Sequence, residues 1–274
     1  MNKEMFFGSV KKIVDLFGEF VKFENIYTGI FAQYYNMLPV DEKELKEYLD
    51  TAFDCGKDIL ELCCGNGRLS IEFAKNGFFV DGVDCSEDML SLFKNKVNSL
   101  PKSIAKRIKI INMDIFNIDL IDKKYDFVYL PATTICILLE DRKKVIKLFD
   151  DISDILKPNG RFCFDIRLYD KLIDKKETAT FIDTLLLENK RTLVIFQERF
   201  DIKFKRAVAN FYLQTVSNNN EVEQWASFTN KKMVSKSEIE DLINQSKLVI
   251  DTKKVIKEGT DDVMVFTLRK EAAC

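Results

Sequence analysis

Three carboxylates and one glycine-containing turn hold most of the chemistry in this chain. The run Ile59-Leu60-Glu61-Leu62-Cys63-Cys64-Gly65-Asn66-Gly67-Arg68-Leu69 reads as a strand, a tight turn and the start of a helix. Glycines let a backbone approach a ligand closely, and a helix N-terminus presents N–H groups with no partner inside the helix. Glu61 narrows the ligand. A carboxylate at that strand end repels a dinucleotide pyrophosphate and suits a molecule with a cationic amino group. Asp84, in Val80-Asp81-Gly82-Val83-Asp84-Cys85-Ser86, ends the next strand. In doubly wound sheets an acid about 20 residues past the glycine turn hydrogen-bonds ribose hydroxyls. Asp114, in Asn112-Met113-Asp114-Ile115-Phe116, ends a third strand and can accept a bond from an adenine amino group, with Phe116 nearby. Any one of these acids alone reads as well as a helix cap or a solvated loop. Three at the ends of successive strands line the edge where open α/β sheets bind ligands.

Such acids need a parallel sheet to carry them, and the pattern supplies one. Short apolar runs at 58–63, 78–83, 108–113, 125–130 and 161–166 alternate with helical patterns at 67–75, 86–97 and 142–156. Alternation of this kind means βαβ units and a mostly parallel sheet. Before it, residues 1–52 read as a helical cap: Phe6, Val10, Ile13, Val14, Phe17 and Val21 recur every three or four positions, and two shorter helical stretches follow. After Arg167 the alternation stops. Residues 192–200, 207–216 and 222–229 read as antiparallel strands joined by polar turns. Ser235 and Ser237 each precede a Glu by three residues, the signature of a capped helix, and strands at 248–256 and 263–269 close the chain. The expected fold is α/β: a doubly wound, Rossmann-like, mostly parallel seven-stranded sheet, with an N-terminal helical cap (1–52) and a small antiparallel β insertion (169–233). The ligand-binding domain then comprises 53–168 and 234–274.

The order E-x-x-C-G-x-G-R, G-V-D-x-S-x-x-M-L, a strand-end Asp and L-K-P-N-G-R-F resembles the class I S-adenosylmethionine-dependent methyltransferases, over residues 57–168 and again over 234–268. The resemblance implies S-adenosylmethionine as cofactor and S-adenosylhomocysteine as product. It implies that Glu61 lies by the methionine amino group and that Cys63, Gly65, Asn66, Gly67 and Arg68 wrap the methionine moiety. Asp84 would hold the ribose, Cys85 and Met89 would flank the adenine, and Asp114 would meet its amine, with Ile115, Phe116 and Leu130 completing the cofactor set. The family usually has glycine where Cys63 stands, a small departure provided the backbone there has no need of positive φ. Tyr129-Leu130-Pro131-Ala132-Thr133-Thr134 occupies the loop that faces the transferable methyl and lacks the N-P-P-Y pattern of enzymes that methylate nucleobase or glutamine amino groups. Tyr34-Tyr35-Asn36-Met37-Leu38 resembles the Y-D-x-L element of small-molecule members, with Tyr35 as the closing tyrosine. Tyr35, Thr133 and Arg167 are the candidates for positioning the acceptor. Each reads equally well as packing, capping or surface, and Trp225 as sheet packing or pocket wall.

Composition bounds the rest. With 46% hydrophobic and 31% charged residues among 274, the chain reads as a globular protein able to bury its own core. A net charge of −2 without basic blocks argues against nucleic acid as partner. No signal-peptide pattern or long apolar run is visible, and the seven cysteines, an odd number without zinc spacing, fit reduced thiols, so a cytoplasmic location with no membrane partner is expected. The chain contains no histidine, which excludes Ser-His-Asp and Cys-His mechanisms and any metal site built on imidazole. No metal is expected. An amine acceptor needs only deprotonation before attack, whereas an alcohol needs a base or metal more urgently. The expected activity is therefore methyl transfer to a small-molecule or peptide amine. O- or S-methylation, a non-catalytic cofactor-binding protein, and an NAD-dependent dehydrogenase are the alternatives; Glu61, and Ser70 where a third glycine would stand, argue against the last. Oligomeric state is not legible.

Overall fold

The computed structural model describes residues 3–169, 180–258 and 261–271. Backbone contacts divide the chain into two units, Met1–Leu38 with Asp170–Met233, and Pro39–Tyr169 with Val234–Cys274. The first unit opens with α1 (Gly8–Phe17), β1 (Val21–Phe23) and α2 (Gly29–Met37). The second runs through α3 (Glu42–Phe53), β2 (Asp58–Leu62), α4 (Arg68–Lys75), β3 (Phe79–Asp84), α5 (Glu87–Asn98), α6 (Lys102–Ala105) and β4 (Ile108–Asn112). A 3-10 segment at Ile115–Leu120 leads to β5 (Tyr125–Leu130), α7 (Ile135–Leu138), α8 (Arg142–Ile155) and β6 (Leu156–Arg167). The first unit resumes with β7 (Thr180–Leu187), β8 (Lys190–Asp201), β9 (Arg206–Val216) and β10 (Val222–Lys232), and the second ends with α9 (Lys236–Ile243), β11 (Leu248–Glu258) and β12 (Asp261–Lys270).

In the second unit the expected seven-stranded sheet has the order β11-β12-β6-β5-β2-β3-β4. Strands β6, β5, β2, β3 and β4 run parallel, and β12 and β11 add antiparallel to β6 and to each other. The apolar runs are long because both faces are covered. Ile59, Phe127 and Tyr129 pack on one face with Leu69 and Phe73 of α4. Leu60, Leu62, Val128 and Leu130 pack on the other with Val145, Leu148 and Phe149 of α8 and Ile239 and Leu242 of α9. Ser235 caps α9 through a full capping box with Glu238. The Pro158-Asn159-Gly160 turn lies inside β6, where pairing steps from Tyr125–Leu156 to Phe127–Arg161.

The first unit is a five-stranded sheet of order β1-β10-β9-β8-β7, antiparallel except for the β1–β10 pair. Trp225 is buried there with Phe31, Tyr34 and Leu213, which is the sheet-packing role. Helix α1 has no side-chain cap of its own. Its first turn is completed by the sheet instead: Asn210 Oδ1 accepts the Phe7 N–H at 2.9 Å and Gln197 Oε1 accepts the Val10 N–H at 3.0 Å. Buried amides thus supply the partners that a helix start leaves wanting.

Three details depart from the sequence reading. The helix at 42–53, grouped there with the cap, belongs to the second unit, because its apolar face (Tyr48, Ala52) is buried with Ile59, Phe73 and Tyr129. Strand β1 was read as the end of a helix; three residues are too few for a period to show. Strand β7 was not read as a strand. It is an edge strand with Phe181, Ile182 and Leu186 exposed, so it lacks the alternation that a buried face imposes. Among the described residues no helix is long and apolar enough to cross a membrane, and the six described cysteines are all free thiols. Cys274 lies outside the described residues.

Candidate functional site

The glycine turn is shaped from behind by α5. Gly65 (φ 53°) and Gly67 (φ 73°) are left-handed. A Cβ on Gly65 would meet Met89 Cε at 2.9 Å, and one on Gly67 would meet the Phe93 ring at 2.1 Å. The left-handed backbone favours glycine at both positions, and at Gly67 the Phe93 ring leaves no room for a Cβ. Cys63 is also left-handed, at φ 54°. The condition set for a harmless cysteine is not met: the position where the family usually has glycine does need positive φ, and Cys63 carries the strain.

Asp84, the last residue of β3, is built into this turn. Its Oδ2 accepts the Gly65 N–H at 2.8 Å and its Oδ1 accepts the Ser86 N–H at 2.8 Å, tying the ends of β2 and β3 together. Burial raises its pKa, and the Ser86, Gly65 and Cys85 N–H groups work in the opposite direction. Glu61 is 2% exposed at the C-terminal end of β2. Burial pushes it up to about 7, against the pull of the Ser70 hydroxyl, Tyr129 and Arg68. Ser70 donates to Glu61 Oε2, which gives the residue at the third-glycine position a definite task.

The remaining expected residues fall into three groups. Asp114 is exposed, follows β4, and caps the 3-10 segment by accepting the Phe116 N–H at 3.0 Å; Phe116 is half-buried beside it. With Glu61, Cys63, Gly65, Arg68, Asp84 and the exposed Cys85, they occupy the C-terminal edge of the parallel strands. Asn66, Met89, Ile115 and Leu130 are buried: Met89 backs the turn, while Leu130 and Ile115 lie in the core on the α8 side. Of the acceptor candidates, Thr133 is buried in the loop after β5, and Arg167 ends β6 with its guanidinium 5.8 Å from the Tyr169 ring. Tyr35 lies on α2 in the first unit, half-buried, its ring 6.0 Å from that of Tyr27.

Two further carboxylates were missed by sequence reasoning. Glu44 on α3, 1% exposed, pairs with Arg68 through both oxygens, at 2.5 and 2.9 Å. Asp165 on β6, 1% exposed, accepts the Thr133 N–H at 2.6 Å. Both had a signal in the chain. Asp165 is the lone acid in the run Phe162-Cys163-Phe164-Asp165-Ile166, and Glu44 shares a helix face with Tyr48. A charge placed among buried positions has to be paired, and so marks a site or a structural pin.

Residues 59–160 match the family model described as a methyltransferase domain. YqeM of Bacillus subtilis, named as a candidate methyltransferase, is 32% identical over 162 residues, 58% of this chain and 62% of that protein. The ubiquinone biosynthesis O-methyltransferase of Coxiella burnetii is 30% identical over 112 residues, 40% of this chain and 43% of that protein. The chain thus spans less than two thirds of the length of either curated relative. Among solved structures, an S-adenosylmethionine-dependent methyltransferase from Clostridium acetobutylicum superposes with a TM-score of 0.70 at 20% identity, covering 88% of this chain and 98% of that one. Strand order and the matched segment converge: residues 59–160 form a methyltransferase domain, on a fold shared with S-adenosylmethionine-dependent methyltransferases.

Proposed function

We propose that this protein transfers the methyl group of S-adenosylmethionine to an amine of a small molecule or peptide. The observation that carries the cofactor reading is the pairing of Asp84, bonded into the glycine turn, with Glu61, a buried carboxylate at the neighbouring strand end that takes the Ser70 hydroxyl. In this reading Glu61 faces the methionine ammonium, directly or through water, and Asp84 holds the ribose. Cys63, Gly65, Asn66, Gly67 and Arg68 enclose the methionine, and Cys85, Met89, Asp114, Ile115, Phe116 and Leu130 form or back the adenine side. Thr133, Arg167 and Tyr35 are assigned to positioning the acceptor.

The reaction is an in-line displacement. The acceptor lone pair attacks the methyl carbon, the carbon–sulfur bond breaks, and S-adenosylhomocysteine leaves. The sulfonium is already activated, so the protein's tasks are alignment and exclusion of water. A chain without histidine suits an acceptor that sheds its proton unaided, which favours an amine. The Coxiella relative is named as an O-methyltransferase, so methylation of a hydroxyl is the second reading.

Calorimetric titration with S-adenosylmethionine, S-adenosylhomocysteine and NAD tests the cofactor. Micromolar binding of the two sulfur compounds is expected, and tight binding of NAD alone would overturn the assignment. Methyl uptake from labelled S-adenosylmethionine into matched panels of amines and phenols then separates N- from O-transfer.

A further inference from the structure

Glu44 bonds two functional segments at once. Through both oxygens it holds Arg68, the residue that follows left-handed Gly67 and begins α4. Its Oε1 also accepts the Ala132 N–H at 3.2 Å, in the loop after β5. That loop is strained. Ala132 (φ 62°) and Thr133 (φ 53°) are successive non-glycine residues in the left-handed region. Such a pair persists only where the surroundings over-determine it, and it clusters at functional sites. Two buried carboxylates from different elements do the holding: Glu44 of α3 takes the Ala132 N–H, and Asp165 of β6 takes the Thr133 N–H. Arg68 in turn sits close enough to Glu61 to favour its charged form. A hydrogen-bonded chain therefore runs from Arg68 through Glu44 to Ala132.

We propose that Glu44 is a positioning residue that ties occupation of the glycine turn to the conformation of the Ala132–Thr133 loop. The inference rests on the cofactor reading above. With the turn empty, α4 and Arg68 have more freedom, the hold of Glu44 on Ala132 weakens, and the strained loop samples relaxed conformations. With the turn occupied, Arg68 is fixed, Glu44 is fixed by two parallel bonds, and the loop is pinned in its left-handed form. Bidentate guanidinium–carboxylate geometry suits this task because it transmits orientation as well as charge. The loop that resemblance places at the transferable methyl is then completed by cofactor, so the acceptor binds second. Asp165 is the fixed pin of the pair and Glu44 the responsive one.

The test is hydrogen exchange at the Ala132 and Thr133 amides of the full chain, with and without saturating S-adenosylhomocysteine, with binding measured in parallel by calorimetry. In the wild type, S-adenosylhomocysteine slows exchange at these amides by about tenfold, the scale of one well-made hydrogen bond. In Glu44→Asp the charge stays, but the shorter side chain cannot span both partners. Protection falls to about twofold or less while calorimetry still shows the ligand bound. Glu44→Gln, which keeps the side-chain length and loses the charge and one acceptor oxygen toward Arg68, gives the same result and serves if Glu44→Asp does not fold. Binding to the wild type without protection of the loop overturns the coupling and leaves the cofactor reading intact, as does equal protection in wild type and variants. Absence of binding to the wild type overturns both.

Discussion

The two ends of the parallel strands in the second unit are both rich in acids, yet they treat them in opposite ways. At the N-terminal end, Asp58 accepts from Lys157 at 2.7 Å and lies 3.4 Å from Lys123, and Asp126 takes Lys157 at 3.0 Å. At the C-terminal end, Glu61 and Asp84 are met by a serine hydroxyl and backbone N–H groups. The pKa shifts follow: the Lys157 ammonium is the main cause that lowers Asp58, while burial raises Glu61 and Asp84. Paired acids are spent on structure. Acids buried without an ion pair of their own give up charge more readily and have capacity left for an incoming cation, at some expense in stability.

The sharpest way to break this comparison is to remove one acid from each end. Asp84→Ala is expected to weaken S-adenosylhomocysteine binding by about a hundredfold or more, the scale of a lost charged hydrogen bond plus a loosened turn. Asp58→Ala should leave it within about twofold. Comparable losses in calorimetry would erase the distinction between the two ends. The backbone gives a second contrast. At left-handed Cys63, Cys63→Val should destabilise by about 2 kcal/mol relative to Cys63→Gly, because a β-branched side chain fits that region worst. Equal melting temperatures for the two variants would mean that the turn is not held in the left-handed form.

Glu61 adds a pH signature of smaller size. Its folded pKa of about 7 lies above the ordinary glutamate value, so the empty protein takes up this proton more readily than the unfolded chain does. Glu61 therefore costs stability above pH 7, and that cost fades as the pH falls toward the ordinary range. Cofactor binding has the opposite sense, since the ammonium needs the carboxylate charged. Affinity should fall by up to about tenfold per unit below pH 7 in the wild type and lose that dependence in Glu61→Gln. A flat wild-type titration between about pH 6 and about pH 8, a unit either side of the Glu61 pKa, would detach Glu61 from the cofactor. Smallest of all, Lys157→Met should cost about 0.5 kcal/mol after allowance for solvent screening, because Asp58 and Lys157 are both about a third exposed. Asp58 has a lowered pKa, so the part it contributes is present above its unfolded pKa and disappears as the pH falls through the folded one. A urea titration at pH 7 and at pH 3, on either side of the ordinary carboxylate pKa, reads it.

Much of the second unit was legible because its strands are buried on both faces and its turn needs glycine. Asp58–Leu62 and Tyr125–Leu130 fall within a residue of expectation. Glu61 and Asp84 were visible as acids that end apolar runs. What stayed hidden was whatever depends on distant partners. Glu44 resembles any helix-face glutamate until Arg68 and Ala132, far along the chain, close on it. Strand β1 exists only because β10 pairs with it, and β7 shows no alternation because its outward residues answer to no core. The strain at Cys63 was foreseen only as a condition, since backbone angles leave no mark on a single cysteine.

The completion of α1 by Asn210 and Gln197, and of β1 by β10, sets a timetable for synthesis. Helix α1 and strand β1 leave the ribosome before the Asn210 and Gln197 side chains that complete the helix start and the β10 strand that pairs with β1, all encoded more than 150 positions later. At ribosomal rates of about 5–20 residues per second, the nascent chain carries this segment unfinished for on the order of ten seconds or longer, while most of the parallel sheet emerges and folds. Residues 8–23 are thus made well before they can be completed, and they are a stretch in which a chaperone that holds apolar nascent chains would find a long-lived target.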